Sequence, residues 1–267
     1  MKLITSKDNP RLKTIRRLAQ DSQAYRKLGL VWLEGDHLCR AALACGVKPE
    51  LAVFSESIWQ AFEFEWAQCA SEMWTVPDDL FAGLSGLESP AKMGFLSTLP
   101  VVPELDPHAA TVVLDRLQDA GNVGAILRSA SAFGFKQVVA IKGTAGLWSP
   151  KVLRAGMGAH FGMRLLESAS KEALQNLQVP LLGTDVHEGP YLHTLVQNAQ
   201  LPSRCAWVMG HEGQGVSADL MALVQQKVRI AQPGGEESLN VATAAAICLH
   251  ASATAGMNAQ STARRPV

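Results

Sequence analysis

The chain has 267 residues, 48% of them apolar and 18% charged, which is enough to bury the core of one large domain or two small ones and too apolar for a disordered chain. Its formal net charge is +0, so only a local concentration of charge can mark a nucleic-acid contact. Cys39, Cys45, Cys69, Cys205 and Cys248 form no CxxC pair, which argues against a disulfide framework or a metal site and suits a reducing cytosol; no apolar run reaches the ~18 residues of a membrane span, and no secretory h-region is present, so a soluble cytoplasmic protein is expected.

Residues 1–27 form the basic part, with Lys2, Lys7, Arg11, Lys13, Arg16, Arg17, Arg26 and Lys27 against Asp8 and Asp21, a net of +6, whereas 28–105 are acidic. A helix is predicted over 9–20, where Leu12, Ile15, Leu18 and Ala19 recur at helical spacing with the basic residues mostly opposite. Arg11, Lys13, Arg16, Arg17, Arg26 and Lys27 are candidate contacts to nucleic-acid phosphates; the alternative is a solvated helix face. Next come a strand at 30–35, a helix capped by Asp36 and stopped by Gly46, and a strand at 50–54. A helix from Ile58, a strand at 73–76 and a short helix from Asp78 complete a small layered α/β unit. Pro100, Pro103 and Pro107 mark a linker, with the boundary near Glu104, giving domains 1–103 and 104–257.

Strand–helix alternation resumes with a strand at 110–115, a turn DAGN and a helix ended by Gly134. Further strands are predicted at 136–141, 179–185, 205–210 and 227–231, then an Ala-rich helix at 238–256 and a disordered tail at 258–267. This pattern predicts a second α/β domain built on a parallel sheet.

Three motifs carry the chemistry. In LDRLQDAGNVGAILR (114–128) a strand runs through a turn holding Asn122 into a helix N-terminus, with Arg128 further on. Unpaired N–H groups at that terminus suit an anion, although an ordinary turn and a surface arginine would read the same way. The spacing is not GxGxxG, so a nicotinamide site fits poorly. In WVMGHEGQGVS (207–217), Gly210, Gly213 and Gly215 directly follow a buried strand. They suggest unusual dihedrals or close approach to a ligand, with Glu212 orienting the loop or meeting a polar group; His211 reads as a loop residue. In VRIAQPGGEESLNVATAAAICLH (228–250), Ser238 is the N-cap candidate for the Ala-rich helix, and Asn240 has no evident structural role.

NVGAILR at 122–128, GHEGQG at 210–215 and SLNV at 238–241, in this order, resemble the SpoU (TrmH) family of SPOUT RNA methyltransferases. The resemblance covers about 110–256, and the N-terminal part looks like the family's L30e-like substrate-binding domain. It implies a parallel α/β sheet with a deep trefoil knot, a rare exception to unknotted folds. It further implies a homodimer that uses S-adenosylmethionine, without a metal, to methylate a ribose 2′-OH of RNA, with ribosomal RNA favoured over transfer RNA. By the same resemblance Arg128 matches the catalytic arginine and Asn122, Glu212, Ser238 and Asn240 the other motif residues, while Gly210, Ile230 and Leu239 hold the cofactor through their backbones. The chain departs from the pattern at Ala120, where members often have proline, and at Ala231-Gln232, where they commonly read Pro-Met. The arginine could grip the phosphate or serve as a base, and the sequence leaves both open. Competing readings are a non-catalytic RNA-binding assembly factor of the same fold, which would be expected to lose Arg128, Asn122 or Asn240, and a base-methylating SPOUT enzyme, which would lack NVGAILR.

Overall fold

The structure, a computed structural model, describes residues 1–86, 90–202, 204–234 and 239–263. It divides into two compact units, Met1–Val101 with Trp148–Phe161, and Val102–Leu147 with Gly162–Val267.

In the first unit the chain runs β1 (Lys2–Leu3), α1 (Pro10–Gln20), α2 (Ala24–Leu28), β2 (Leu30–Glu34), α3 (Asp36–Ala44), β3 (Leu51–Ser55), α4 (Glu56–Trp66), β4 (Glu72–Val76), α5 (Asp78–Ala82) and β5 (Met93–Thr98). The sheet order is β1-β4-β3-β5-β2, with β5 antiparallel to both of its neighbours and the other pairs parallel. Asn9 caps α1 by accepting from the N–H groups of Arg11 and Leu12, Pro10 opens it, and Leu12, Ile15, Leu18 and Ala19 form its buried face. At α3, Gly35 with φ 105° occupies the cap position expected for Asp36, which begins the helix instead.

The second unit opens with β6 (Thr111–Leu114), α6 (Ala120–Ala132) and β7 (Gln137–Ile141). A helix α7 (Pro150–Gly156) then returns to the first unit. This corrects the expected division, which placed all of 104–257 in one domain. The reason is close packing: α7 lies against α1 and β2, and a Cβ on Gly158, where φ is +90°, would come within 2.3 Å of the Ala41 Cβ. The second unit continues with β8 (Arg164–Ala169), β9 (Leu181–Thr184), α8 (Leu192–Gln197), β10 (Ala206–Met209), α9 (Ala218–Met221), β11 (Gln226–Val228) and α10 (Val241–Ala263).

Its sheet has the order β11-β9-β10-β6-β7-β8 and every pair is parallel. Strands buried on both faces read as continuous apolar runs, as TVVL and AWVM do. Val113, Val139, Leu166, Leu181, Val208 and Leu220 share one core cluster. α10 packs on α6, α8 and β10, and its Ser252 Oγ accepts a 2.9 Å hydrogen bond from the buried Trp207 indole. Among the described residues all five cysteines are free. The tail expected to be disordered from 258 is helical through Ala263.

Candidate active site

An open parallel sheet binds ligands beyond the carboxyl ends of its strands, at the point where the strand order reverses. Here the chain leaves β6 outward to β7 and β8, crosses back to β9, and then inserts β10 between β9 and β6. β6 and β10 therefore end side by side, paired through Leu114 and Met209. The chain after β6 enters α6 and the chain after β10 enters the GHEGQG loop, so topology alone brings the first two motifs together.

Hydrogen bonds join them and add the third. Asp119 caps α6 by accepting from Asn122 N–H at 2.7 Å, so the helix starts at Ala120 and Asn122 stands in its first turn, not in the preceding loop as expected. The Glu212 carboxylate accepts from the N–H of Asp119 at 3.2 Å and of Gln118 at 3.4 Å, and from the Asn122 amide at 3.3 Å. The Asn240 amide donates to Asn122 Oδ1 at 3.0 Å. Burial pushes the Glu212 carboxyl up, but its own N–H, the Asn122 amide and the two backbone donors outweigh that effect and hold it below the usual carboxylate range. Asn240 also serves the fold, because its Oδ1 accepts from Ala242 and Thr243 N–H at 2.9 and 3.2 Å and so caps α10. The cap expected at Ser238 therefore falls on Asn240; Ser238 itself lies outside the described residues.

The glycine loop is a closed turn. His211 N–H donates to Gly215 O at 2.9 Å, and Gly215 N–H donates back to His211 O at 2.8 Å. A Cβ on Gly210 would sit 2.1 Å from Val216 N and 2.2 Å from Gly215 C. Gly210 is thus glycine because its own loop folds back upon it. Asp115, buried at the end of β6 with 1% exposure, pins the loop exit by accepting from Ser217 N–H at 2.6 Å. The first motif as read from sequence spans Asp115 and Asp119 but gives neither a role; the available signal is a carboxylate just after a buried strand and another just before a helix.

Residues 109–250 match the SpoU rRNA Methylase family. The chain belongs to that family. Residues 9–94 match an MRM3-like substrate binding domain. Along 94% of its length the chain is 28% identical to the 23S rRNA (guanosine(2553)-2′-O)-methyltransferase RlmP of Bacillus subtilis, 98% of which is covered. It is 32% identical, over 92% of each chain, to an uncharacterized tRNA/rRNA methyltransferase of Synechocystis sp.. A solved RNA 2′-O ribose methyltransferase superposes with a TM-score of 0.77 at 28% identity, covering 96% of this chain and 99% of that one.

In this SpoU-family chain, Ala120 occupies the first position of α6, where the proline common among SpoU members would be equally at home. Arg128 is exposed on α6 and has no hydrogen-bond or ion-pair partner among the described residues. Gly210 directly follows β10, and Ile230 lies two residues beyond β11, which ends at Val228 and not at 231 as expected. Leu239, 37% exposed, adjoins the Asn240 cap. All three lie at the carboxyl edge of the sheet.

The basic residues of the first unit are more engaged than their count suggests. Arg11 pairs with Glu72 at 2.5 Å and covers the Trp74 ring. Lys13 pairs with Asp8 at 2.9 Å, Arg16 donates to Gly83 O at 2.9 Å, and Arg17 lies 4.0 Å from Asp21. Arg26 donates to Gln23 at 2.7 Å and lies over Tyr25, while Lys27 is exposed at the end of α2. Lys13, Arg16 and Arg17, with Gln20 and Asp21, line an open depression of about 520 Å³.

Proposed function

We propose that this SpoU-family chain is an S-adenosylmethionine-dependent methyltransferase acting on a ribose 2′-OH of ribosomal RNA, and that it works as a cytoplasmic homodimer with a trefoil-knotted catalytic domain. The observation that carries this reading is the hydrogen-bonded line Asn240–Asn122–Glu212, which draws three distant motifs into one cluster, while Arg128 stands exposed further along the same helix α6. The B. subtilis relative, matched almost end to end, is named for a 23S rRNA 2′-O-methylation, which favours ribosomal over transfer RNA.

When bound, the cofactor supplies a methyl group already activated on a sulfonium. The protein must then place a weakly nucleophilic hydroxyl in line with it and favour loss of the hydroxyl proton. Arg128 offers a planar fork of donors suited to a phosphate oxygen; gripping the phosphate beside the reacting ribose would fix the hydroxyl and stabilise developing negative charge. Asn122 and Asn240, joined amide to amide, orient the polar wall of the site; Ser238 is assigned to the same motif set by resemblance. Glu212 is a positioning residue that ties the glycine loop to the first turn of α6. Backbone groups at Gly210, Ile230 and Leu239 would hold the cofactor. The chain fits such a ligand: the segment after β11 carries a buried carbonyl oxygen, Gln232 Oε1, with no hydrogen-bond partner among the described residues. The knot reading is supported by β11, which among the described residues pairs with β9, and by α10, which packs on α6 and β10. α1 and α2 would take the RNA phosphates through Arg11, Lys13, Arg16, Arg17, Arg26 and Lys27. No metal is assigned a role.

The test is a map of 2′-O-methyl positions in total RNA with and without the gene, paired with methyl transfer by the purified protein to ribosomal and transfer RNA. One rRNA position lost on deletion and restored in vitro is the expected result. An unchanged map would end the proposal.

A further inference from the structure

Resting on the methyltransferase reading, we propose that Gln232 is a cofactor-recognition residue, its Oε1 accepting a hydrogen bond from the exocyclic amino group of the bound adenine. The side-chain oxygen is buried and has no donor among the described residues. A buried acceptor left without a donor is costly, and each such atom in a native protein calls for an explanation. The backbone of the same segment gives the side chain its place. Gln232 lies four residues past the end of β11 and two past Ile230, on the stretch that leaves the carboxyl edge of the sheet and leads to the Asn240 cap.

The chemistry selects the donor. A carboxamide oxygen is a neutral acceptor and matches a neutral N–H group. The amino-acid end of the cofactor carries an ammonium, for which a carboxylate is the stronger partner. The neutral donors of the cofactor are the adenine amino group, with two N–H donors, and the ribose hydroxyls, and an inosine analogue, which changes only the former, separates them. A methionine at this position would offer only a weak thioether acceptor. Glutamine here supplies a directional acceptor, and Gln232→Met removes it at little cost in volume.

The experiment is calorimetry with S-adenosylhomocysteine and with its inosine analogue, in which the amino group is an oxygen, on the full chain and on Gln232→Met. The wild type should prefer the adenine compound. Gln232→Met should weaken S-adenosylhomocysteine about tenfold, the scale of one hydrogen bond, and should erase the preference. The melting temperature of the ligand-free variant should not fall, because the buried acceptor has no described internal partner to lose. Unchanged affinity in a folded Gln232→Met protein overturns the proposal alone. An equal loss for both compounds also overturns it and moves the contact to the ribose or the amino-acid end. A dimer weakened with both affinities intact overturns it by placing the donor in a second copy. A wild type that binds neither compound brings down the methyltransferase reading together with this one.

Discussion

α1 and α6 make opposite use of positive charge. α1 carries Arg11, Lys13, Arg16 and Arg17, and each has a partner within its own unit: Glu72, Asp8, the Gly83 carbonyl and Asp21. α6 carries a single cation, Arg128, exposed and unpaired among the described residues. A sequence counts cations; their partners decide how much of each is available to a ligand. One free guanidinium can matter more for chemistry than four that are already engaged, because its donors are available to a ligand.

The sharpest test of this contrast is Arg128→Ala. Methyl transfer should fall by on the order of 10²–10³ or more, the scale of losing one charged transition-state contact, while S-adenosylhomocysteine affinity stays within about twofold. Single-turnover assays and calorimetry on the same preparation check both halves, and near-normal turnover would refute the assignment. A smaller effect should separate the two roles of Asn240. Asn240→Asp keeps an acceptor for Ala242 and Thr243 N–H but has no N–H to give Asn122 Oδ1. Its melting temperature should hold while transfer drops about tenfold, one hydrogen bond's worth. Asn240→Ala should also lose about 1 kcal/mol of cap stability. Equal behaviour of the two variants would mean that the amide link is passive.

Glu212 gives a pH prediction of known sign. Its folded-state carboxyl titrates below the ordinary value of 4.5. Its contribution is therefore complete above that value and is lost only as the pH falls through the lower one. S-adenosylhomocysteine affinity should be flat from neutrality down to about pH 5 and weaken below the ordinary glutamate range. Glu212→Gln should remove that acid limb, and an identical limb in the variant would assign it to another group.

Much of this is legible in the sequence, for identifiable reasons. The buried face of α1 and the parallel strands β6, β7, β9 and β10 announce themselves by apolar spacing and runs. The three motifs stand out because their order is specific. β5, which pairs with both β2 and β3, escapes a sequence reading because MGFLST is short and shows no sustained apolar–polar alternation. The placing of Trp148–Phe161 with the first unit depends on tertiary packing that no local pattern records. Gly210 draws attention in the sequence, but the structure gives it a different physical reason: its missing side chain makes room for Gly215 and Val216, so Gly210→Val would disturb the loop before it could touch a ligand. The orphaned Gln232 oxygen is invisible in sequence, because burial without a partner is a property of the folded chain.

The smallest expected effects lie on α1 and test the other half of the comparison. Phosphate contacts appear as a slope of log affinity against log salt, about 0.7–0.9 per phosphate neutralised. Lys13, Arg16 and Arg17 line one open depression, and their partners are a surface carboxylate or a single carbonyl, which a phosphate can replace. Removing any one of them should reduce the slope by about one contact and leave stability within about 0.5 kcal/mol. Arg11 should behave in the reverse way. It is held between Glu72 and the Trp74 ring, and the Trp74 indole donates to the same Glu72 carboxylate at 2.6 Å. Arg11→Ala should therefore cost about 1 kcal/mol of stability, reflecting an exposed pair plus a cation–π contact, with little change in salt slope. Point substitutions are the right tool, because truncation near Pro107 would strip Trp148–Phe161 of the unit it packs in. If Arg11→Ala lowers the slope as much as Lys13→Ala does, the ion pairs on α1 open when RNA arrives, and its contrast with α6 would be one of degree.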